Sequence, residues 1–239
     1  MLIIGTIVVS KQVNFIQSRN LGYDKENLIY IPSEGDLIKK YESFKNEVLQ
    51  MPGIQSISFI SDNPVYLDQW TNSVDWDGRS ATTMISFEHP DIGYDFAKTM
   101  KLQLVEGRDF SKEFPADDDG FLLNETAIKN IGYTNPTGKF ITINGRRGKI
   151  IGVLKDFNFR SLHEPIKPMI MQFGERKFME IYYCAHNRVK QNRHLQILKH
   201  FVNNLILHSR LRILLLTNNI KSCIITNRLL ANYPMPLLS

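Results

Sequence analysis

The residues of this chain best suited to chemistry lie in one loop, where Lys155, Asp156, His163 and Glu164 fall within ten positions of one another. An acid and a base in mutual reach are the minimum for proton transfer. Catalysis also needs a nucleophile, a metal or a group that positions a substrate, and the spacing supplies none of these. The loop is therefore expected to be a turn held by local hydrogen bonds. Glu106, Arg108 and Asp109 are expected to form a salt-bridged turn, and Arg146, Arg147 and Lys149 to decorate another. The run Asp117 to Asp119 lacks the alternating ligands, central glycine and terminal glutamate of a calcium loop, and is expected to be solvated surface. On these grounds the chain is read as not an enzyme, with no catalytic, cofactor-binding or metal-ligating residue assigned.

Other candidates fall in the same way. Cys184 and Cys223 stand 39 positions apart with no CxxC or Cys/His metal spacing, so neither a zinc site nor a disulfide framework is indicated. His194, His200 and His208 are separated by six and eight positions, which does not place them on one helical face. Asn124-Glu125-Thr126 has the form of a glycosylation acceptor and no more. There is no GxxxxGK[ST] phosphate loop. What remains is an interaction loop: the turn-rich excursion Asp62 to Gly78 carries Trp70 and Trp76 and reads as a binding lip.

The elements that must hold these residues are legible from spacing. Leu28 to Ile31 is a short strand stopped by Pro32, and Asp36 to Met51 has one apolar face and ends at Pro52-Gly53, so it reads as an amphipathic helix. Ile54 to Ile60 alternates with period two and is expected to be a strand with one buried face. Further strands are expected at Thr82 to Glu88, Leu102 to Val105, Phe121 to Asn124, Phe140 to Ile143, Ile150 to Leu154, Pro168 to Phe173 and Phe178 to Cys184. Helices are expected at Tyr94 to Met100 and Glu125 to Ile131. Asn144-Gly145 is a two-residue hairpin signal, although Arg146 to Gly148 is expected to lengthen that connection. The class is α+β, with mixed sheets, packed helices and more strands than helices.

Charge divides the chain. The net +5 invites a nucleic-acid or anionic-membrane reading. Yet residues 1 to 180 hold all 24 acidic residues and 21 of the 29 basic ones, a net of −3, while residues 181 to 239 hold eight basic residues and no acid. The basicity belongs to the tail, and nucleic acid is not an expected partner. Met1 to Ser10 is apolar but about half the ~20 residues that cross a bilayer. It reads either as a buried element or as the outer part of a transmembrane helix.

Four segments, in order and suitably spaced, carry a resemblance: VVSKQVNFIQSRNLGYDKENLIYIP (Val8 to Pro32), VEGRDFSKEF (Val105 to Phe114), LNETAIKNIGYTNPTGKFI (Leu123 to Ile141) and IIGVLKDFNFRSLHEPIKPMI (Ile150 to Ile170). Together they resemble the MacB-like periplasmic core domain of ABC-transporter permeases of the MacB/FtsX family, in its Bacteroidetes-type form. The resemblance implies a porter-like α/β subdomain and a smaller, mostly β subdomain projecting from the inner membrane into the periplasm. It implies that residues 1–20 are the outer end of a transmembrane helix and its extension, and that residues 21–184 are the core domain. It also implies partners: a cytoplasmic ABC ATPase, a second permease half and membrane lipid. No cofactor is implied. The domain would couple ATP-driven motion to export or periplasmic mechanotransmission, and this chain alone would not transport. The alternative is a membrane-tethered module that binds a peptide or lipoprotein through the Trp70/Trp76 loop.

The family pattern stops near Cys184. Back-translated with free synonymous codons and read two nucleotides on, Asn204 to Ser209 can give FNPAF, Asn219 to Ile225 a QYKKLYH-like stretch and Asn227 to Leu238 EQIVGKLSDAFA, all family-like and in order. Residues 185–239 are therefore expected to be an out-of-frame, poorly ordered tail on a truncated permease fragment, and the nucleotide sequence decides this. The competing reading is a basic helix over Leu195 to Leu216 lying on an anionic membrane.

Overall fold

The computed structural model describes residues 21–24, 28–32, 37, 39–62, 67–80, 82–158, 164–174, 180–185 and 214–215. The expected membrane helix end at 1–20, and most of the expected tail at 185–239, lie outside the described residues.

β1 (Leu28–Pro32), α1 (Tyr41–Leu49) and β2 (Ile54–Ile60) make a βαβ unit split by β12 (Glu180–Ala185), which pairs antiparallel with both strands. β1 and β2 therefore run parallel to each other, with a strand from far along the chain between them. α1 buries Tyr41, Phe44 and Val48, which sit three and four positions apart as one helical face requires. The Tyr41 ring meets Phe59 of β2 edge-on at 5.7 Å. β13 (Leu214–Leu215) pairs antiparallel with the outer edge of β1.

The alternation in β2 does not produce one wet face. Ser56, Ile57, Ser58, Phe59 and Ile60 are all buried. The reason is tertiary: β2 lies between β12 and β6 (Asp91–Ile92), and both α1 and α2 (Phe96–Met100) pack against it.

From β2 the sheet continues through β6, β11 (Ile170–Phe173), β8 (Phe121–Asn124), β10 (Arg146–Leu154), β9 (Phe140–Ile143) and β4 (Val74–Trp76), while β7 (Leu104–Gly107) pairs with the later half of β10. β3 (Trp70–Thr71) and β5 (Phe87–Glu88) form a separate two-stranded sheet. The pairings are both parallel and antiparallel, so the expected α+β class with mixed sheets holds. α3 (Glu125–Ile131) matches its expected bounds.

Two expectations are corrected by local hydrogen bonding. The strand foreseen at Thr82 to Glu88 shrinks to β5, because Ser80 and Thr82 bond to each other through their hydroxyls and Thr83 N–H reaches Ser80 O, which curls the chain into a turn. The hairpin connection is not lengthened: Asn144 (φ 49) and Gly145 (φ 83) both take the left-handed backbone of a type I′ turn, and β10 begins at Arg146.

Besides the buried face of α1 on β2, two apolar clusters flank β8. One gathers Ile92, Phe96, Met100, Phe110, Leu122, Leu154 and Phe157; the other gathers Trp76, Phe87, Phe121, Ala127, Ile141 and Ile150. β8 contributes to both, with Leu122 facing one and Phe121 and Leu123 the other.

Candidate functional site

The four residues Leu21–Asp24 lead into the sheet domain, and they are docked rather than loosely attached. Asn158 N–H donates to Leu21 O (2.8 Å), and Asp24 N–H donates to Met100 O (3.2 Å) at the end of α2. The Lys101 ammonium pairs with the Asp24 carboxylate. Gly22 has φ 88, and a Cβ built on it would fall 2.8 Å from Phe157 Cβ and 3.1 Å from Asp156 O, so only glycine allows this approach. Tyr23 packs on the first apolar cluster, and burial pushes its hydroxyl pKa up. Beside this junction lies an open cleft of about 720 Å³, lined by Tyr23, Asp24, Lys101, Gln103, Lys155 and Glu164 among others.

The described residues of the loop with the acid and base candidates, Lys155 to Asn158 and Glu164 to Ile166, also line that cleft. The Asp156 carboxylate accepts from Thr126 N–H (2.9 Å) and Thr126 Oγ1 (2.7 Å), while Asp156 N–H donates to Glu125 Oε2 (3.0 Å). This is a reciprocal cap for the N-terminus of α3, made across thirty positions of sequence. Lys155 lies near Gln103 (3.5 Å). His163 lies outside the described residues. The pairing of Asp156 is structural, but its partners are the start of α3, thirty positions away, rather than the local hydrogen bonds expected of a turn.

Sequence reasoning missed the α2 clamp. Both caps of this five-residue helix are non-glycine residues in left-handed backbone, Asp95 (φ 60) and Lys101 (φ 54). Asp109 reaches across and accepts from Ala97 N–H (2.8 Å), Lys98 N–H (3.3 Å) and Phe110 N–H (2.8 Å). Burial raises its pKa to about 6, against the pull of those three bonds. α2 is thus tied at one end to the turn after β7 and at the other to Asp24.

Glu106, Arg108 and Asp109 consequently do not form one salt-bridged turn. Glu106 accepts from Thr137 N–H, Arg108 forks onto Asp117, and Asp109 serves α2. The acidic run is not merely solvated either. Asp117 takes Arg108, Asp118 takes the Tyr94 hydroxyl (2.7 Å), and Asp119 takes Arg146 (2.9 Å). Three successive carboxylates tie together three segments remote in sequence.

Trp70 and Trp76 are not brought together. Trp70 is 66% exposed on β3, whereas Trp76 is 8% exposed in the second cluster, edge-on to Phe87 at 6.1 Å with the Arg79 guanidinium over its ring. A single lip carrying both indoles is therefore not formed. Asn124 was also missed as a hub: its Oδ1 accepts from Ala127 N–H and Met169 N–H (both 2.9 Å) and its Nδ2 donates to Lys167 O (2.9 Å), with 1% of the residue exposed. The available signal was an Asn preceding an apolar helical run, which is an N-cap pattern. Among the described residues no group of three His, Cys, Asp or Glu is placed to hold a metal ion.

Comparison with known proteins completes the picture. A sequence model described as the MacB-like periplasmic core domain matches residues 1–174. The fold is similar to the periplasmic region of MacB from Actinobacillus actinomycetemcomitans, at 17% identity and TM-score 0.58, covering 92% of this chain and 99% of that one. It is similar to the extracellular domain of the noncanonic ABC-type transporter YknZ from Gram-positive bacteria (14% identity, TM-score 0.52, 78% and 97% covered). It is also similar to a domain of a putative permease protein from Porphyromonas gingivalis (12% identity, TM-score 0.52, 80% and 90% covered). None of the curated proteins compared matches the chain.

Proposed function

The chain belongs to the MacB-like periplasmic core domain family, and on that premise we propose that it is the extracytoplasmic domain of an ABC-transporter permease, passing movement of a membrane segment into a folded sheet. The observation that supports this reading is the docked junction. Residues 1–20 lead directly into Leu21–Asp24, which is fixed to the α2 end by Lys101 and to the β10–β11 loop by Asn158 and Phe157. Through α2, clamped at its other end by Asp109, a pull on that segment reaches β2 and β12 at the middle of the split βαβ unit. A domain built to transmit force needs a stiff joint, and backbone hydrogen bonds plus a glycine-only contact supply one.

On this reading residues 1–20, which begin with the apolar run Met1 to Ser10, carry the membrane contact. The domain faces the periplasm at the inner membrane. Its partners are a cytoplasmic ABC ATPase and a second permease half, and the chain by itself neither hydrolyses ATP nor transports. The test is orientation. Met84 is 90% exposed. With Cys184 and Cys223 changed to serine, Met84→Cys is expected to react in intact cells with a maleimide that does not cross the inner membrane. Reaction only after lysis would refute the assignment.

A second reading, a membrane-tethered module that captures a peptide or lipoprotein, is favoured by one feature, the exposure of Trp70. It predicts a tight extracellular ligand whose binding is lost in Trp70→Ala.

A further inference from the structure

β1 has the character of a central strand but stands one place from the end of the sheet. Leu28, Ile29 and Ile31 are at most 3% exposed, and successive residues of a strand point to opposite faces, so both faces of β1 are covered. The run Leu28–Ile31 carries no charge. On one side β12 pairs with every residue from Leu28 to Pro32; on the other, β13 pairs with Ile29 and Tyr30.

Other edge strands of this sheet are blunted. β4, at the opposite end, carries Asp75, and β7 carries Glu106, a register shift against β10 and Gly107 in left-handed backbone. Charges and irregularities of this kind keep the free N–H and C=O groups of an edge from recruiting another strand. β1 has only Pro32, at one end. Its uncharged edge is suited to being paired, and β13 shows that it takes an extended segment. The sequence allowed a basic helix as far as Leu216, yet Leu214 and Leu215 form a strand, because β1 offers them hydrogen-bond partners. Continuing their register would set Leu28 opposite Leu216 and Ile31 opposite Ile213, so the uncharged run Leu28–Ile31 has its counterpart in the uncharged run Ile213–Leu216.

We propose that the outer edge of β1 is a docking site for an extended, uncharged, leucine- or isoleucine-rich segment of a partner protein, running antiparallel to β1, and that Leu214–Leu215 holds this edge shut in cis. Main-chain hydrogen bonds supply the affinity in such strand addition, and apolar side chains at alternate positions supply the selectivity. The tail strand seated on the edge is the model for the chemistry of the occupant. A partner segment that pairs with all of Leu28–Pro32 forms a longer ladder than β13 does, and so can displace it. Against this, the tail competes from the same chain at an effective concentration of roughly millimolar, and the apparent affinity for a partner falls with the fraction of chains whose edge is open. The inference stands on β1 and β13 and is independent of the permease assignment.

The probe is a fluorescent synthetic peptide with the sequence of Ser209 to Thr217, titrated by anisotropy against the full chain with Cys184 and Cys223 changed to serine. Two variants open the edge without touching β1: Leu214→Pro, and Leu214→Asp with Leu215→Asp. A third, Tyr30→Cys with Leu214→Cys, locks it, since directly paired residues lie within disulfide reach. The opened variants are expected to bind the peptide at least about tenfold more tightly than the starting chain, and the oxidised lock at least about tenfold more weakly. Reduction should return the locked chain to within about threefold of the starting chain, a comparison made within one folded protein. Near-UV circular dichroism checks the fold of each variant. A peptide with serine in place of Ile213, Leu214 and Leu215 keeps both arginines and is expected not to bind. Equal binding by opened, starting and locked chains, or equal binding of the serine peptide, would overturn the proposal. Concentration-dependent self-association of the opened variants without peptide, seen by sedimentation, would overturn it in favour of a second copy on this edge.

Discussion

Gly22 lies against Phe157 so closely that a side chain on it would overlap the Phe157 Cβ, at 2.8 Å, and its backbone has φ 88. The contact fixes Leu21–Asp24 against the sheet domain, and it is open to measurement.

Gly22→Ala is expected to destabilise the chain by about 2 to 4 kcal/mol, from backbone strain of roughly 1 kcal/mol plus the clash. Gly138→Ala is the control, since Gly138 has φ 86 but nothing within 4 Å of the new Cβ. It should cost only the strain. Denaturant unfolding of both variants checks this, and equal losses would mean that the Phe157 contact is soft.

Asn124→Ala removes an N-cap and leaves two buried N–H groups and the Lys167 carbonyl without their partner. A loss of about 2 to 5 kcal/mol is expected. Thermal or denaturant unfolding reads it directly.

Asp109 gives a pH signature. Its folded-state pKa of about 6 lies above the unfolded 3.8, so the folded chain holds this proton more tightly. That contribution is fully favourable below pH 3.8 and is lost as pH rises to 6, by about 3 kcal/mol at most. Asp109→Asn, which keeps an acceptor for α2, should therefore lose this part of the pH dependence. Stability curves of the two proteins should diverge between pH 4 and 6, with the variant the more stable above. Parallel curves would mean that the carboxylate is hydrated.

The two tryptophans should separate cleanly. Trp76→Ala opens a cavity beside Phe87 and is expected to cost about 3 to 5 kcal/mol, whereas Trp70→Ala should stay within about 0.5 kcal/mol. Unfolding of each variant decides. A large loss at Trp70 would show that its indole is covered.

The contrast between these sites shows what the sequence could convey. Asn124 before Glu125–Ile131, and Asn144-Gly145 between two strands, act through neighbours in sequence, so α3 and the hairpin could be read from residue type and spacing. The split βαβ unit was hidden, because β12 is inserted between β1 and β2 from more than a hundred positions away. Trp76 looked like its neighbour Trp70 because burial is decided by Phe87 and β9, not by the turn residues around it. Asp109 and the acidic run were misjudged for the same reason: their partners at Ala97, Tyr94 and Arg146 are set by the fold. The docked junction was legible only as a motif, NLGYD, and the reason for its glycine needed Phe157 in place.

The most direct measurement is a zero-length carbodiimide cross-link between Lys101 and Asp24, mapped by mass spectrometry in the permease assembled with its ATPase. If the segment and the sheet domain move as one body, the amide forms in equal yield with and without ATP, and Lys101→Arg abolishes it. A yield that falls to background when ATP is added would show that the junction opens during the cycle, and would contradict transmission through a rigid joint.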